Sequence, residues 1–169
     1  MTKHALVITA TGPDKPGLVE QVTEVVEEHD GNVEASRMAR LGGEFAMLML
    51  VCAPGGHIDA LRKALSGLRQ RELQVVTRLT SGGNMEQYAG HIPYEIRFRG
   101  ADHEGIVHSV THYLASQDIN IETLNTNVRK APMTGTPLFE MDAVVLVPGS
   151  FNFHDLREAL EEVGDQSGV

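Results

Sequence analysis

Gly12-Pro-Asp-Lys-Pro-Gly-Leu-Val-Glu-Gln-Val-Thr23 and Gly100-Ala-Asp-His-Glu-Gly-Ile-Val-His-Ser-Val-Thr111 are two versions of one segment, 88 positions apart. At that shift Gly12, Asp14, Gly17, Val19, Val22 and Thr23 fall on Gly100, Asp102, Gly105, Val107, Val110 and Thr111. The match runs on without a gap through Asp30, Asn32 and Glu34 onto Asp118, Asn120 and Glu122. Chance does not produce such a run, and self-similarity is tested before local structure is read. The register then slips to 94, setting Phe45, Met47, Val51 and Pro54-Gly55 on Phe139, Met141, Val145 and Pro148-Gly149, so the second copy carries an insertion at Arg129 to Leu138. At 95 the apolar set Ile58, Leu61, Ala64, Leu65 and Leu68 meets Phe153, Leu156, Ala159, Leu160 and Val163. Two copies of one unit make up the chain.

Within one copy, Ala5 to Ala10 is a short apolar run stopped by Thr11-Gly-Pro-Asp-Lys-Pro-Gly17, which reads as a strand and a turn. Leu18, Val19, Val22, Val25 and Val26 then recur at helical spacing, as do Ile106, Val107, Val110, Tyr113 and Leu114. Pro16 fits the first helical turn and Gly31 a left-handed stop. Asn32 to Leu41 and Glu44 to Ala53 flank Gly42-Gly43, a pair suited to a tight hairpin. Ile58 to Leu68 is a second helix, and Leu73, Val75, Thr77 and Leu79 mark a fourth strand. The order strand, helix, strand, strand, helix, strand predicts an α+β class, the split βαβ or ferredoxin-like arrangement with both helices on one sheet face.

The expected organisation is a first unit over 1–80, a linker over 81–91 and a second unit over 92–169. The counterpart of the fourth strand would begin only near Gly168, so the second unit is expected to lack it and to show an unpaired strand edge. A truncated chain, a strand lent by a partner and a natural stop all remain open. Ala5 to Ala10 and Phe45 to Val51 are apolar or small at nearly every position, so both sheet faces want cover; burial against the sister unit or in a dimer is expected.

Composition sets the class: 41% hydrophobic and 22% charged residues in 169 suit a globular protein. No apolar run is long enough to span a bilayer, and Met1-Thr2-Lys3-His4 leads straight into a strand, so neither signal peptide nor anchor is expected. Cys52, the single cysteine, reads as a small buried hydrophobe in a reducing compartment, hence a cytoplasmic protein. Residues 1–85 carry nine basic against ten acidic side chains and residues 86–169 five against thirteen. That balance offers no basic surface for direct nucleic-acid binding, so any link to a promoter runs through another protein.

Leu6-Val-Ile-Thr-Ala-Thr-Gly-Pro-Asp-Lys-Pro-Gly-Leu-Val19 with Gly31-Asn-Val-Glu34 resembles the ACT-domain pattern, an Asp-x-Pro-Gly turn followed by Asn on the second strand. Asn32 to Phe45, the tandem arrangement and the long loop Ala131-Pro-Met-Thr-Gly-Thr-Pro-Leu-Phe139 resemble the glycine cleavage system transcriptional repressor family. The resemblance implies two tandem ACT units, an amino acid effector such as glycine bound between paired domains, a homodimer, and action on a DNA-binding transcription factor. It places the effector region at Asp14, Lys15, Pro16, Gly17 and Leu18 with Asn32, and at Asp102, His103, Gly105 and Ile106 with Asn120. His103-Glu104 replaces Lys-Pro in the second turn.

Such a turn suits a zwitterion. Unsatisfied amides at a helix start attract a carboxylate, glycine permits close approach, Asp accepts from an ammonium, and Asn both donates and accepts. The same residues also have purely architectural uses: Asp as a helix cap, Gly for packing, Asn to hold a turn. His108 and His112 are spaced to share a metal, yet no third ligand is fixed, and neither metal nor cofactor is expected. No Walker loop, Gly-x-Ser-x-Gly elbow, His-Glu-x-x-His or Cys-x-x-Cys occurs, so no catalytic residues and no enzymatic activity are expected. Two other functions stay open: an effector-independent interaction module, and the regulatory subunit of an amino-acid or folate enzyme.

Overall fold

The computed structural model describes residues 3–68, 72–81 and 86–167. It divides into two compact units, Met1–Gly83 and Asn84–Val169. Part of the expected linker, 82–85, and the last two residues, where a counterpart of the first unit's fourth strand would only have begun, lie outside the described residues.

The first unit runs β1 (Lys3–Pro13), α1 (Leu18–Glu28), β2 (Asn32–Leu41), β3 (Glu44–Pro54), α2 (Ile58–Gly67) and β4 (Gln74–Thr80). Its antiparallel sheet has the order β2-β3-β1-β4, so the two central strands are those with the most continuous apolar sequence. On β1 and β3 the pleat sends Leu6, Ile8 and Ala10 and Phe45, Met47, Met49, Val51 and Ala53 to the helix side, all buried. They meet Leu18, Val22 and Val26 of α1 and Ile58, Leu61 and Leu65 of α2. Fully burying one such leucine stabilises the fold by about 1.5–3 kcal/mol. Gly42 and Gly43, at φ 60° and 86°, make the two-residue hairpin.

The second unit repeats β5 (His91–Ala101), α3 (Ile106–Ser116), β6 (Asn120–Lys130), β7 (Pro137–Pro148) and α4 (Phe153–Ser167), preceded by a short 3-10 turn at Glu86–Tyr88. Among the described residues its sheet has three strands, ordered β5-β7-β6. Where β1 pairs with β4 on its outer side, β5 has no neighbour among the described residues. A cavity of about 390 Å³ runs along that edge between β5 and α4, and Tyr94 of β5 stacks on Phe153 of α4 at 5.6 Å.

Four local expectations are corrected. Pro16 does not enter the helix, because Gly17 takes a left-handed conformation (φ 89°) and α1 starts only at Leu18. Gly31 is not the left-handed stop: Asp30 is (φ 55°), as is Asp118 in the second unit. Gly31 is instead a packing glycine, since a Cβ there would lie 2.7 Å from Val26 Cγ1 and 2.9 Å from its carbonyl oxygen. The long loop of the second unit is shorter than expected, because β7 begins at Pro137 and Phe139 is a buried strand residue. Cys52 is half-buried rather than core: strand alternation puts it opposite Ala5 on the helix-free side.

Candidate functional site

Both strand-to-helix turns adopt the same geometry, dictated by one glycine. Gly17 and Gly105 sit at φ 89° as the N-cap residues of α1 and α3, and in neither case does a side chain cap the helix. The first helical bonds run from the Gln21 and Ser109 amides to the Gly17 and Gly105 carbonyls, at 3.0 and 2.9 Å. The amides ahead of them, at the first turn, have no intrahelical acceptor and present partial positive charge to an incoming anion. Neither Asp14 nor Asp102 is seen to cap its helix, so the cap role expected as an alternative for those two carboxylates is not the one they play.

In the first unit the Asp14 amide donates to the Gly43 carbonyl at 2.9 Å, tying the turn to the hairpin. The Asp14 carboxylate accepts from Arg40 Nη1 at 3.5 Å, and Lys15 Nζ meets Glu72 Oε2 at 3.0 Å. A concavity of about 460 Å³ is lined by Asp14 to Glu20 and Phe45. Leu18 and Ile106 turn their side chains into the cores, so each can offer a guest only its backbone. In the second unit the Asp102 amide donates to Pro137 at 3.2 Å, and Asp102, His103 and Gly105 are exposed. Phe45 and Glu20 went unnoticed in the sequence: Phe45 arrives from β3, and Glu20 reads as an ordinary polar helix position.

The two asparagines are not brought to the turns. Asn32 pairs across the sheet with Cys52 and lies level with Ala5, whereas the turn follows Pro13 at the far end of β1. Eight strand residues separate the two levels, roughly 27 Å at ordinary strand rise. Asn120 lies level with Leu146 and Pro93, equally far from Asp102, which follows Ala101. No amino-acid-sized guest touches both ends of one unit. Asn32 Nδ2 moreover donates to Glu34 Oε1 at 2.9 Å.

His108 and His112 stack on the exposed face of α3 at 5.8 Å, and among the described residues no three His, Cys, Asp or Glu side chains converge as a metal site. No described helix is long and apolar enough to cross a membrane.

Residues 4–78 match the ACT domain family model. The glycine cleavage system transcriptional repressor of Escherichia coli (strain K12) is 39% identical over 75 residues, which are 44% of this chain and 39% of that protein; the chain thus matches less than half the length of this curated relative. Across nearly the whole chain, 98% of it and 94% of the other, the fold is shared with the crystal structure of an unknown protein from Galdieria sulphuraria, at 33% identity and a TM-score of 0.81. A candidate glycine cleavage system transcriptional repressor of known structure shares the fold at a TM-score of 0.72 and 24% identity, over 98% of this chain and 93% of its own. A strand-helix turn closed by a left-handed glycine is built twice on ferredoxin-like sheets, and its first copy lies in the segment, less than half of the chain, that matches the ACT domain family model.

Proposed function

We propose that this protein is an amino-acid-responsive regulator of the glycine cleavage system repressor type, cytoplasmic, and acting on a DNA-binding protein partner rather than on DNA. The observation that carries the reading is the uncapped helix start behind Gly17 and Gly105, repeated with the same dihedral angles in both units. Exposed amides and an adjacent carboxylate suit the two charges of a zwitterion. The acidic balance of the chain fits a protein rather than a nucleic-acid partner. Because Asn32 lies about 27 Å from its own turn, any joint use of the two needs a second copy of the chain. The helix-free face of the first sheet, with Val7, Leu48, Leu50 and Val76, is the surface for such a homodimer. The effector then acts by its preference for one arrangement over another.

Calorimetric titration of the full chain with glycine, serine and a panel of other amino acids tests this. Uptake is expected, and Gly17→Ala weakens it while costing about 1–2 kcal/mol of stability through the left-handed strain. No heat and no melting shift with any amino acid sinks the reading. A second reading, an effector-independent interaction module, is favoured by the pairings already present, Asp14 with Arg40, Lys15 with Glu72 and Asn32 with Glu34. It gains if partner binding persists in variants of Gly17 that leave regulation intact.

A further inference from the structure

The outer edge of β5 is open among the described residues, whereas the matching edge of β1 is paired with β4 from Ala5 to Thr11. In the first unit β4 packs against α2 and adds Leu73 and Val75 to the core. Gly12 lets the chain enter that strand, since a Cβ there would stand 2.6 Å from the Glu72 carbonyl oxygen. Gly100 holds the matching place in the second unit. A glycine inside a strand marks the close approach of another backbone. The apolar side chains beside the open edge also keep some exposure: Ile96 is 6% exposed where Ile8 is 0%, and Val163 is half-buried where Leu68 is buried.

The cavity along this edge has Tyr94, Ile96, Phe98 and Leu160 as its apolar floor, with Arg157 and Glu161 of α4 beside it. An open strand edge next to a helix is an arrangement in which an extended segment adds a strand, held by main-chain hydrogen bonds and sorted by its alternate side chains. The register of β4 on β1 shows what such a guest meets. Gln74, Val75, Val76, Thr77, Arg78 and Leu79 lie opposite Thr11 back to Leu6, whose matches are Arg99 back to Tyr94. Guest positions opposite Phe98, Ile96 and Tyr94 therefore face α4 and take apolar side chains. On the other face Thr11, Thr9 and Val7 have become Arg99, Arg97 and Glu95, so the guest is charged there. Arg97 is engaged by Glu95 and Asp142, whereas Arg99 has no carboxylate at ion-pair distance among the described residues.

We infer that the groove between β5 and α4 binds an extended segment of a partner protein as an antiparallel strand, with apolar side chains toward α4 and a carboxylate opposite Arg99. A partner is favoured over a second copy, because two β5 edges joined about a two-fold axis would set both α4 helices on the same side above the joint. The inference rests on the protein-partner part of the reading above, and calorimetric silence toward amino acids leaves it standing.

The test is a titration of the isotope-labelled full chain with two synthetic octapeptides, followed through backbone amide resonances. Thr-Leu-Glu-Val-Glu-Val-Lys-Val sets its first glutamate opposite Arg99 and its lysine opposite Glu95, and Thr-Leu-Lys-Val-Lys-Val-Glu-Val reverses every charge. The first peptide is expected to shift the amides of Tyr94 to Arg99 and to bind about tenfold or more tighter than the second. Arg99→Glu is expected to invert that order, an outcome that loss of folding cannot mimic. Silence of the β5 amides with both peptides, equal affinity for the two, or an order that Arg99→Glu leaves unchanged overturns the inference. Concentration-dependent protection of the β5 amides in the chain alone overturns it too, by assigning the edge to a second copy.

Discussion

The helix-free faces of the two sheets differ in charge although the strands beneath them superpose. On the first sheet this face carries Val7, Leu48, Leu50, Cys52 and Val76, flanked by Thr9, Arg37 and Arg78; Leu48 is 50% exposed and Val76 62%. On the second, the positions of Val7, Thr9 and Thr11 are taken by Glu95, Arg97 and Arg99, and those of Ala46 and Leu48 by Glu140 and Asp142. These charges pair among themselves, Arg97 with Glu95 at 3.1 Å and with Asp142 at 3.4 Å, and Arg129 with Glu140. The helix-side faces, by contrast, remain alike: Leu61 and Leu156 are fully buried at matching positions, as are Val22 and Val110. The inner pattern sustains the fold and cannot drift, whereas the outer face answers only to what it meets. A solvated sheet face is usually polar and a covered one apolar, so the apolar side chains of the first face are the ones that favour cover.

The largest expected effect tests the sameness of the cores. Leu61→Ala and Leu156→Ala should each lower stability by about 2–5 kcal/mol, by lost transfer energy plus a cavity. Denaturant unfolding should show each loss in the transition of its own unit. Equal shifts of one shared transition by both variants would mean that the units unfold as a single body.

The next test bears on the faces. Leu48→Asp imitates the second unit at its matching position and should leave unfolding within about 0.5 kcal/mol, since the side chain is half-exposed. Self-association, followed by sedimentation, should fall about tenfold or more. A wild-type chain that stays monomeric at high concentration removes the homodimer.

The smallest effect is a pH dependence confined to the charged face. The hydrogen bond from Arg129 holds the Glu140 carboxyl below the usual carboxylate range, with burial opposing. A depressed folded value contributes stability above the unfolded carboxylate value, about pH 4, and loses it as pH falls through the folded value. Glu140→Gln should therefore lower stability slightly above about pH 5, where the pair is intact, and converge on the wild type at low pH, so that the acid limb flattens; the effect is small because the guanidinium is open to solvent. An unchanged acid limb would show that the pair contributes nothing.

Much of the fold was legible because periodicity is a local property. The ends of β2 and the apolar face of α1 follow from alternation and helical spacing around Asn32, Gly42-Gly43 and Leu18 to Val26. What misled the local reading at Gly31 was a neighbour rather than a dihedral angle. The glycine has Val26 and Val51 where a Cβ would stand, whereas Ile119 at the same place in the second unit is a buried core side chain.

The amino-acid sequence by itself determined the duplication, the two ferredoxin-like units, the glycine turns and the apolar character of the first sheet's outer face. All of these are written in spacing along the chain. Only the tertiary structure decided that Asn32 and Asn120 stand at the opposite end of the sheet from Asp14 and Asp102, and that Asn120 shares a cavity with His91 and Tyr88, residues read as part of a linker or its edge. The physical reason is that a strand carries successive residues away from a turn at about 3.4 Å each. Neighbours in a motif are thereby separated in space, while strand starts and helix ends from distant parts of the chain are drawn together.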